Sequence, residues 1–190
     1  PNIPIFCSSF SRISILERLS KYNINLKSIY VEVIPEQGIK VNDTIIHAIP
    51  LAGALPGTIG FSFTVKEGSY LFLTNFVDGD LGVYGKTDLP AIKSKFPNVL
   101  ALFLDSGMSN FNGKSSQKIT ITNELEQVFN ETKKDERIII GAYDQEMATL
   151  HQVLDMALKY GRDIVTYGRS YHQLLELLQK RNPDLKLPKI

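Results

Sequence analysis

The sequence has no tryptophan, one cysteine and three histidines among its 190 residues. A single Cys7 can form no internal disulfide, and no CxxC or CxxH pair is present to seat a structural zinc, so the expected compartment is the reducing cytoplasm. His47, His151 and His172 are too far apart in sequence to form a ligand pair such as HxH. Charge of one sign is lacking too. With 21 Lys+Arg against 20 Asp+Glu the net charge is +1, so there is no chain-wide basic field and any nucleic-acid site must be local. No apolar run approaches the roughly 20 residues that cross a bilayer, and no membrane partner is expected. The opening Pro1-Asn2-Ile3-Pro4 has neither an initiator Met nor a basic leader region, so the sequence reads as a piece of a longer protein. What remains is 43% hydrophobic and 22% charged, enough for one packed domain or two small ones.

Short apolar or β-branched runs at Ile3 to Phe6, Ile29 to Ile34, Thr44 to Ile49, Gly60 to Val65, Tyr70 to Thr74 and Val99 to Leu104 are bounded by turn residues and predict strands. Helical spacing predicts a helix over Phe10 to Tyr22. Asp88 and Pro90 mark the start of another, running to Phe96. Beyond Leu104 the pattern changes. A polar loop, Asp105 to Gln117, leads to a helix at Lys118 to Lys133 and a strand at Arg137 to Ala142. A helix at Asp144 to Tyr160 follows, closed by Gly161, then a strand at Asp163 to Tyr167 and a helix at Ser170 to Arg181 closed by Asn182-Pro183. That alternation predicts a parallel sheet with crossover helices, and the loop predicts a domain boundary.

Four places carry candidate chemistry. The Gly-rich run Leu51 to Gly60 follows His47 but lacks the GK[ST] ending and the helix of a phosphate loop. A lone His on an apolar strand is more often structural than a ligand. Leu73 to Asp80 runs from a strand into a polar turn; its Asp78 and Asp80 resemble the start of a calcium loop without the terminal Glu or flanking helices. Asp105, at the end of what reads as a buried parallel strand, lies where open α/β sheets place ligand chemistry. Gly168-Arg169-Ser170 offers a tight turn, a guanidinium and a helix N-terminus suited to phosphate, against the alternative that Ser170 is only a helix cap. Lys133, Lys134 and Arg137 read as a solvated helix end.

In order, these elements resemble those of ribonuclease J, a family of bacterial metallo-β-lactamase and β-CASP nucleases, over nearly the whole chain. Pro4-Ile5-Phe6 with Leu16 to Tyr22 resembles the strand and helix ahead of the family's third metal motif. His47-Ala48-Ile49-Pro50 is similar to its HSIP element, Leu73-Thr74-Asn75-Phe76 to TGDF, and Leu104-Asp105-Ser106 to SDS. Val153, Tyr160-Gly161-Arg162 and Gly168-Arg169-Ser170 resemble the β-CASP segment with its GRS turn. The resemblance implies an α/β fold: part of a metallo-β-lactamase αββα sandwich over 1–110, then the start of a Rossmann-like β-CASP domain over 111–190.

The resemblance also implies RNA as partner and zinc as cofactor, since in the family two zinc ions activate water against an RNA phosphodiester. By position, His47 and Asn75 fall on metal ligands, Asp105 on the catalytic apparatus, and Arg169 and Ser170 on substrate phosphate, with His47 expected near Asn75 and Asp105. Asn75, however, is a neutral amide where a bridging carboxylate is expected, and the HxHxDH motif is absent. The family's SNIH run falls on Gln145-Glu146-Met147-Ala148, where Ala148 replaces the His. The expectation is therefore a segment of a bacterial, cytoplasmic RNA-processing protein with a degenerate metal site, weak or absent zinc binding and no nuclease activity of its own. It would serve as a partner or scaffold, with a catalytic ribonuclease J paralogue or a second copy as companion. Two alternatives stand beside it: a metal-dependent RNA hydrolase whose remaining ligands lie outside this chain, and a small α/β phosphate- or nucleotide-binding module.

Overall fold

The computed structural model describes residues 4–22, 31–107, 109–113, 123–143 and 146–183. The chain is a mixed α/β protein that divides into two compact units, Pro1–Gln117 and Lys118–Ile190.

In the first unit, β1 (Ile5–Cys7) pairs in parallel with β2 (Val31–Val33), and α1 (Ser9–Lys21) follows β1. Ser8 caps α1, its hydroxyl accepting from the Ser11 N–H at 3.3 Å, which satisfies one of the free amides of the first turn. The five-stranded sheet runs in the order β3 (Ile39–Val41), β4 (Thr44–Pro50), β5 (Ile59–Val65), β6 (Gly68–Leu73), β7 (Val99–Leu104). The first four strands are antiparallel neighbours, while β7 returns parallel to β6. β3 is too short to read as a strand from composition. It forms because Asn42, with φ 52, starts a two-residue turn with Asp43 that sets Val41 against Thr44, a left-handed conformation that Asn tolerates well.

One face of this sheet buries Ile49, Leu51, Leu71 and Leu73 against Phe96, with Phe76 and Ile92 packed alongside. Ile92 belongs to α2 (Leu89–Lys95), which Asp88 caps by accepting from the Ala91 N–H at 3.0 Å, and Phe96 is its closing residue. The Gly-rich run after β4 lies in this core. Leu51 and Ala52 are 1% and 0% exposed, and the amides are used internally: Leu51 N–H donates to Thr58 O at 3.0 Å, Ala52 N–H to Thr87 Oγ1 at 2.8 Å, and Gly53 N–H to Tyr84 O at 3.2 Å. None of these three amides is left to cradle a phosphate. The Asp78 to Asp80 turn is likewise structural, with Asp80 Oδ1 accepting the Gly82 N–H at 2.8 Å, the local bond by which Asp stabilises turns.

The second unit contains α3 (Asn123–Glu131), α4 (Met147–Lys159) and α5 (Arg169–Arg181). α4 ends as its sequence requires: Gly161 takes φ 62, its N–H donates to Leu158 O, and Arg162 N–H donates to Ala157 O, a paired closure that satisfies carbonyls of the last turn. Arg162 also reaches the carbonyls after α3, donating to Glu136 O at 3.0 Å and Lys133 O at 3.1 Å. Lys159 meets Glu126 at 2.5 Å.

Two expectations fail here. Arg137 to Ala142 and Asp163 to Tyr167 form no strand; Ile139 is 91% and Val165 79% exposed. Both segments have strand composition, but among the described residues neither has a sheet neighbour, and without one an extended segment gains neither ladder nor burial. β7 is also not the buried strand it reads as. It lies at the sheet edge with most of its side chains exposed.

Gly85 has φ 100, and a Cβ there would stand 2.5 Å from Leu51 O, whereas Gly82, with φ 60, has nothing within 4 Å. In urea unfolding, Gly85→Ala should lose about 2 kcal/mol or more. Gly82→Ala should lose only about 1 kcal/mol, the backbone cost alone.

Candidate functional site

At one end of the sheet, β6 and β7 stop level with each other, Leu73 opposite Leu104. Two residues beyond Leu73 the backbone of Asn75 turns left-handed at φ 52, and its N–H donates to Oδ2 of Asp105, which directly follows β7. The parallel register of β6 and β7 is what brings these two loops together. Both residues are exposed, so the carboxylate remains in water while one of its oxygens is committed to a backbone amide.

His47 is elsewhere. It stands level with Ser62 and Leu71 across β4, β5 and β6, four residues short of Asn75 and two strands away. From strand rise and spacing that separation exceeds about 10 Å. Its Nδ1 is 3.5 Å from the hydroxyl of fully buried Ser62, and its ring packs edge-on against Phe96 at 5.9 Å between centroids. Burial, and secondarily the nearby Lys95 ammonium, push its pKa below the usual 6.5. The expected cluster of His47 with Asn75 and Asp105 is therefore not formed. Ser62, Phe96 and Lys95 are the partners that sequence reading missed, because register alone decides which residue faces a histidine across a sheet.

These residues do not fit a catalytic zinc. Asn75 supplies no charge, Asp105 already accepts an amide hydrogen, and His47 faces a buried serine. A catalytic zinc needs about three converging protein ligands. Among the described residues no three His, Cys, Asp or Glu side chains come together as a metal-holding group.

In the second unit, Gly168 is the cap of α5, and Arg169 and Ser170 are its first two residues. Ser170 is thus inside the helix rather than its cap, and the first-turn amides receive no side-chain bond from Gly168. Tyr171, in the same turn, is buried at 8% exposure and anchors the helix start; that burial pushes its phenol pKa well up. The run similar to SNIH begins α4. Glu146 is its cap and exposed, while Met147 and Ala148 are 0% and 5% exposed. Of that run, Gln145 lies outside the described residues. Ala148 faces the interior, so it does not occupy a position from which a histidine could reach a ligand without displacing packed atoms.

Taken together, the chain is a mixed α/β protein with polar groups gathered where two parallel strands end. No family model matches it. Ribonuclease J2 of Bacillus subtilis is 23% identical over 182 residues, covering 94% of this chain and 32% of that protein. Ribonuclease J 2 of Staphylococcus saprophyticus is 22% identical over 192 residues, covering 97% of this chain and 34% of its own length. The chain spans about a third of the length of the curated relatives it matches. Among solved structures, a diphosphatase of the PhnP family matches 55% of this chain and 48% of its own at 13% identity, with a TM-score of 0.32, too partial a likeness to bear on function. No described helix is long and apolar enough to cross a membrane.

Two outcomes are expected. The unfolded chain protonates His47 near pH 6.5 while the folded chain resists until lower pH, so stability is full above about 6.5 and is lost as pH falls through that window. Urea midpoints at about pH 7.5 and 5.5 should therefore fall further for the wild type than for His47→Gln. At the start of α4, Ala148→His should cost about 1–3 kcal/mol of stability by overpacking, read as a lower thermal midpoint, rather than improve any phosphate site.

Proposed function

We propose that this chain is a segment of a ribonuclease J-like RNA-processing protein whose own metal centre is degenerate, and that it serves as an RNA-binding partner or scaffold rather than as a nuclease. The first unit corresponds in this reading to part of a metallo-β-lactamase domain and the second to the start of a β-CASP domain. What supports the kinship is similarity to two ribonuclease J proteins over 94% and 97% of the chain.

The observation that carries the loss of chemistry is the turn after β6. The residue in the bridging position is Asn75, held in left-handed backbone with its N–H on Asp105. A neutral amide cannot balance two dications, and a carboxylate drawn into a turn has one oxygen fewer for any ion. Asp105 therefore holds the β6 and β7 loops together in this reading, and zinc, where the relatives use it, is bound weakly or not at all.

RNA would be gripped through its phosphates at the start of α5. The 13-residue helix presents uncapped first-turn amides, and Arg169 adds a cation at the same end, a combination that attracts phosphate oxygens without reading bases. Two measurements test the reading. Arg169→Ala should weaken RNA binding alike across sequences and reduce the salt slope by about one; equal affinity through a salt titration would make Arg169 structural. Metal analysis and a nuclease assay on the purified chain should find no stoichiometric zinc and no metal-dependent hydrolysis, and two bound zincs with RNA cleavage would overturn the proposal.

A further inference from the structure

The sheet has two edges of opposite character. β3 is three residues long and carries Lys40 at its centre, the short, charged form by which edge strands avoid pairing. β7 at the other edge is Val99-Leu100-Ala101-Leu102-Phe103-Leu104, six apolar residues with no charge and no proline. All but Ala101 are between 40% and 52% exposed. The aromatic row on the sheet face opposite α2 also runs to this edge. Phe63 meets Phe72 at 5.2 Å, Phe72 stacks on Phe103 at 4.2 Å, and no further strand follows.

We propose that β7 pairs antiparallel with β7 of a second copy about a two-fold axis at Leu102, joining two five-stranded sheets into one of ten. A two-fold axis through the sheet keeps each face on its own side, so Leu102 meets its counterpart and Ala101 stands opposite the other copy's Phe103. The smallest side chain of the strand thus faces the largest. Leu100, the extra residue where the β6 register shifts between Ser69 and Tyr70, comes opposite Leu104, and Asp105 comes opposite Val99, so no like charges meet.

The area is consistent with such a pair. Covering the exposed parts of five large side chains removes on the order of 450 Å² per copy, or about 900 Å² in all, near the lower bound for specific interfaces. The backbone ladder adds hydrogen bonds the open edge lacks. Association of this size is reversible. It also stops at two, because after pairing the only free edges of the sheet are the two β3 strands.

The test uses opposite charges at the axis. Sedimentation of the 190-residue chain at tens of micromolar should give about twice its 21.3 kDa mass. Leu102→Lys and Leu102→Glu should each sediment as monomers, since each sets two like charges face to face. An equimolar mixture of the two variants should recover the dimer. Circular dichroism confirms that the variants fold; should either fail to, concentration-dependent amide-exchange protection of β7 in the wild type takes their place. A wild-type monomer with rapidly exchanging β7 amides would overturn the proposal, as would variants that remain dimeric. Open-ended aggregates would equally count against it, because they deny closure, and a mixture that stays monomeric would refute the axis at Leu102.

Discussion

The segment that leaves β4 is tied to more of the first unit than any other. Leu51, Ala52 and Gly53 give their three amides to Thr58, Thr87 and Tyr84, and the Ala52 carbonyl accepts the Val77 N–H at 2.9 Å. Four loops are thereby fixed to one buried stretch whose side chains also complete the Ile49, Leu71, Leu73 and Phe96 core. Buried backbone groups must be paired, so this stretch cannot shift without releasing its partners together. Gly85 belongs to the same constraint. A side chain there would strike the Leu51 carbonyl.

That constraint sets where the polar groups lie. Val77 is held two residues beyond Asn75, and Phe76 between them packs on the core. The Asn75 turn therefore has little freedom, and its N–H points at the loop that follows β7. Asp105 meets it because β6 and β7 run parallel and end level. The same packing draws His47 the other way. Its ring rests on Phe96, and protonating it would place a charge between a buried hydroxyl, an aromatic ring and the Lys95 ammonium. A histidine with that surrounding is neutral by virtue of its environment, and its place in the sheet accounts for its presence without a metal.

Much of this was legible in the residues. The six strands of the first unit, the Asp88 cap with Pro90 behind it, and the Gly161 closure of α4 all follow from local patterns, because caps and turns involve neighbours in sequence. The site was legible only in part. Asp105 and Asn75 stand at strand ends, where the sequence suggests polar chemistry, and parallel pairing joins them. His47 was expected beside them on motif order alone. Motif order carries no register, and register is what gave it Ser62 instead. Ala148 shows the same limit at closer range: its neighbours name a helix start, but the face it presents depends on what packs there.

The segments that misled are all apolar and extended: Val99 to Leu104 taken for buried, Arg137 to Ala142 and Asp163 to Tyr167 taken for paired strands. Hydrophobic pattern states how much surface a segment would gain by leaving water. It does not state which neighbour provides the cover, since a helix binds its own backbone within one stretch of chain whereas a strand depends entirely on another. The three helices of the second unit accordingly form from their own sequences, close their own ends and share buried positions such as Phe129, Leu154 and Leu178. The extended segments between them, lacking a neighbour among the described residues, keep Ile139 and Val165 in water. In the first unit β7 has one neighbour and so half of what a strand requires. Its second edge retains the apolar character of an interior strand, and that mismatch between side chains and surroundings is the physical reason it reads as buried and is found exposed.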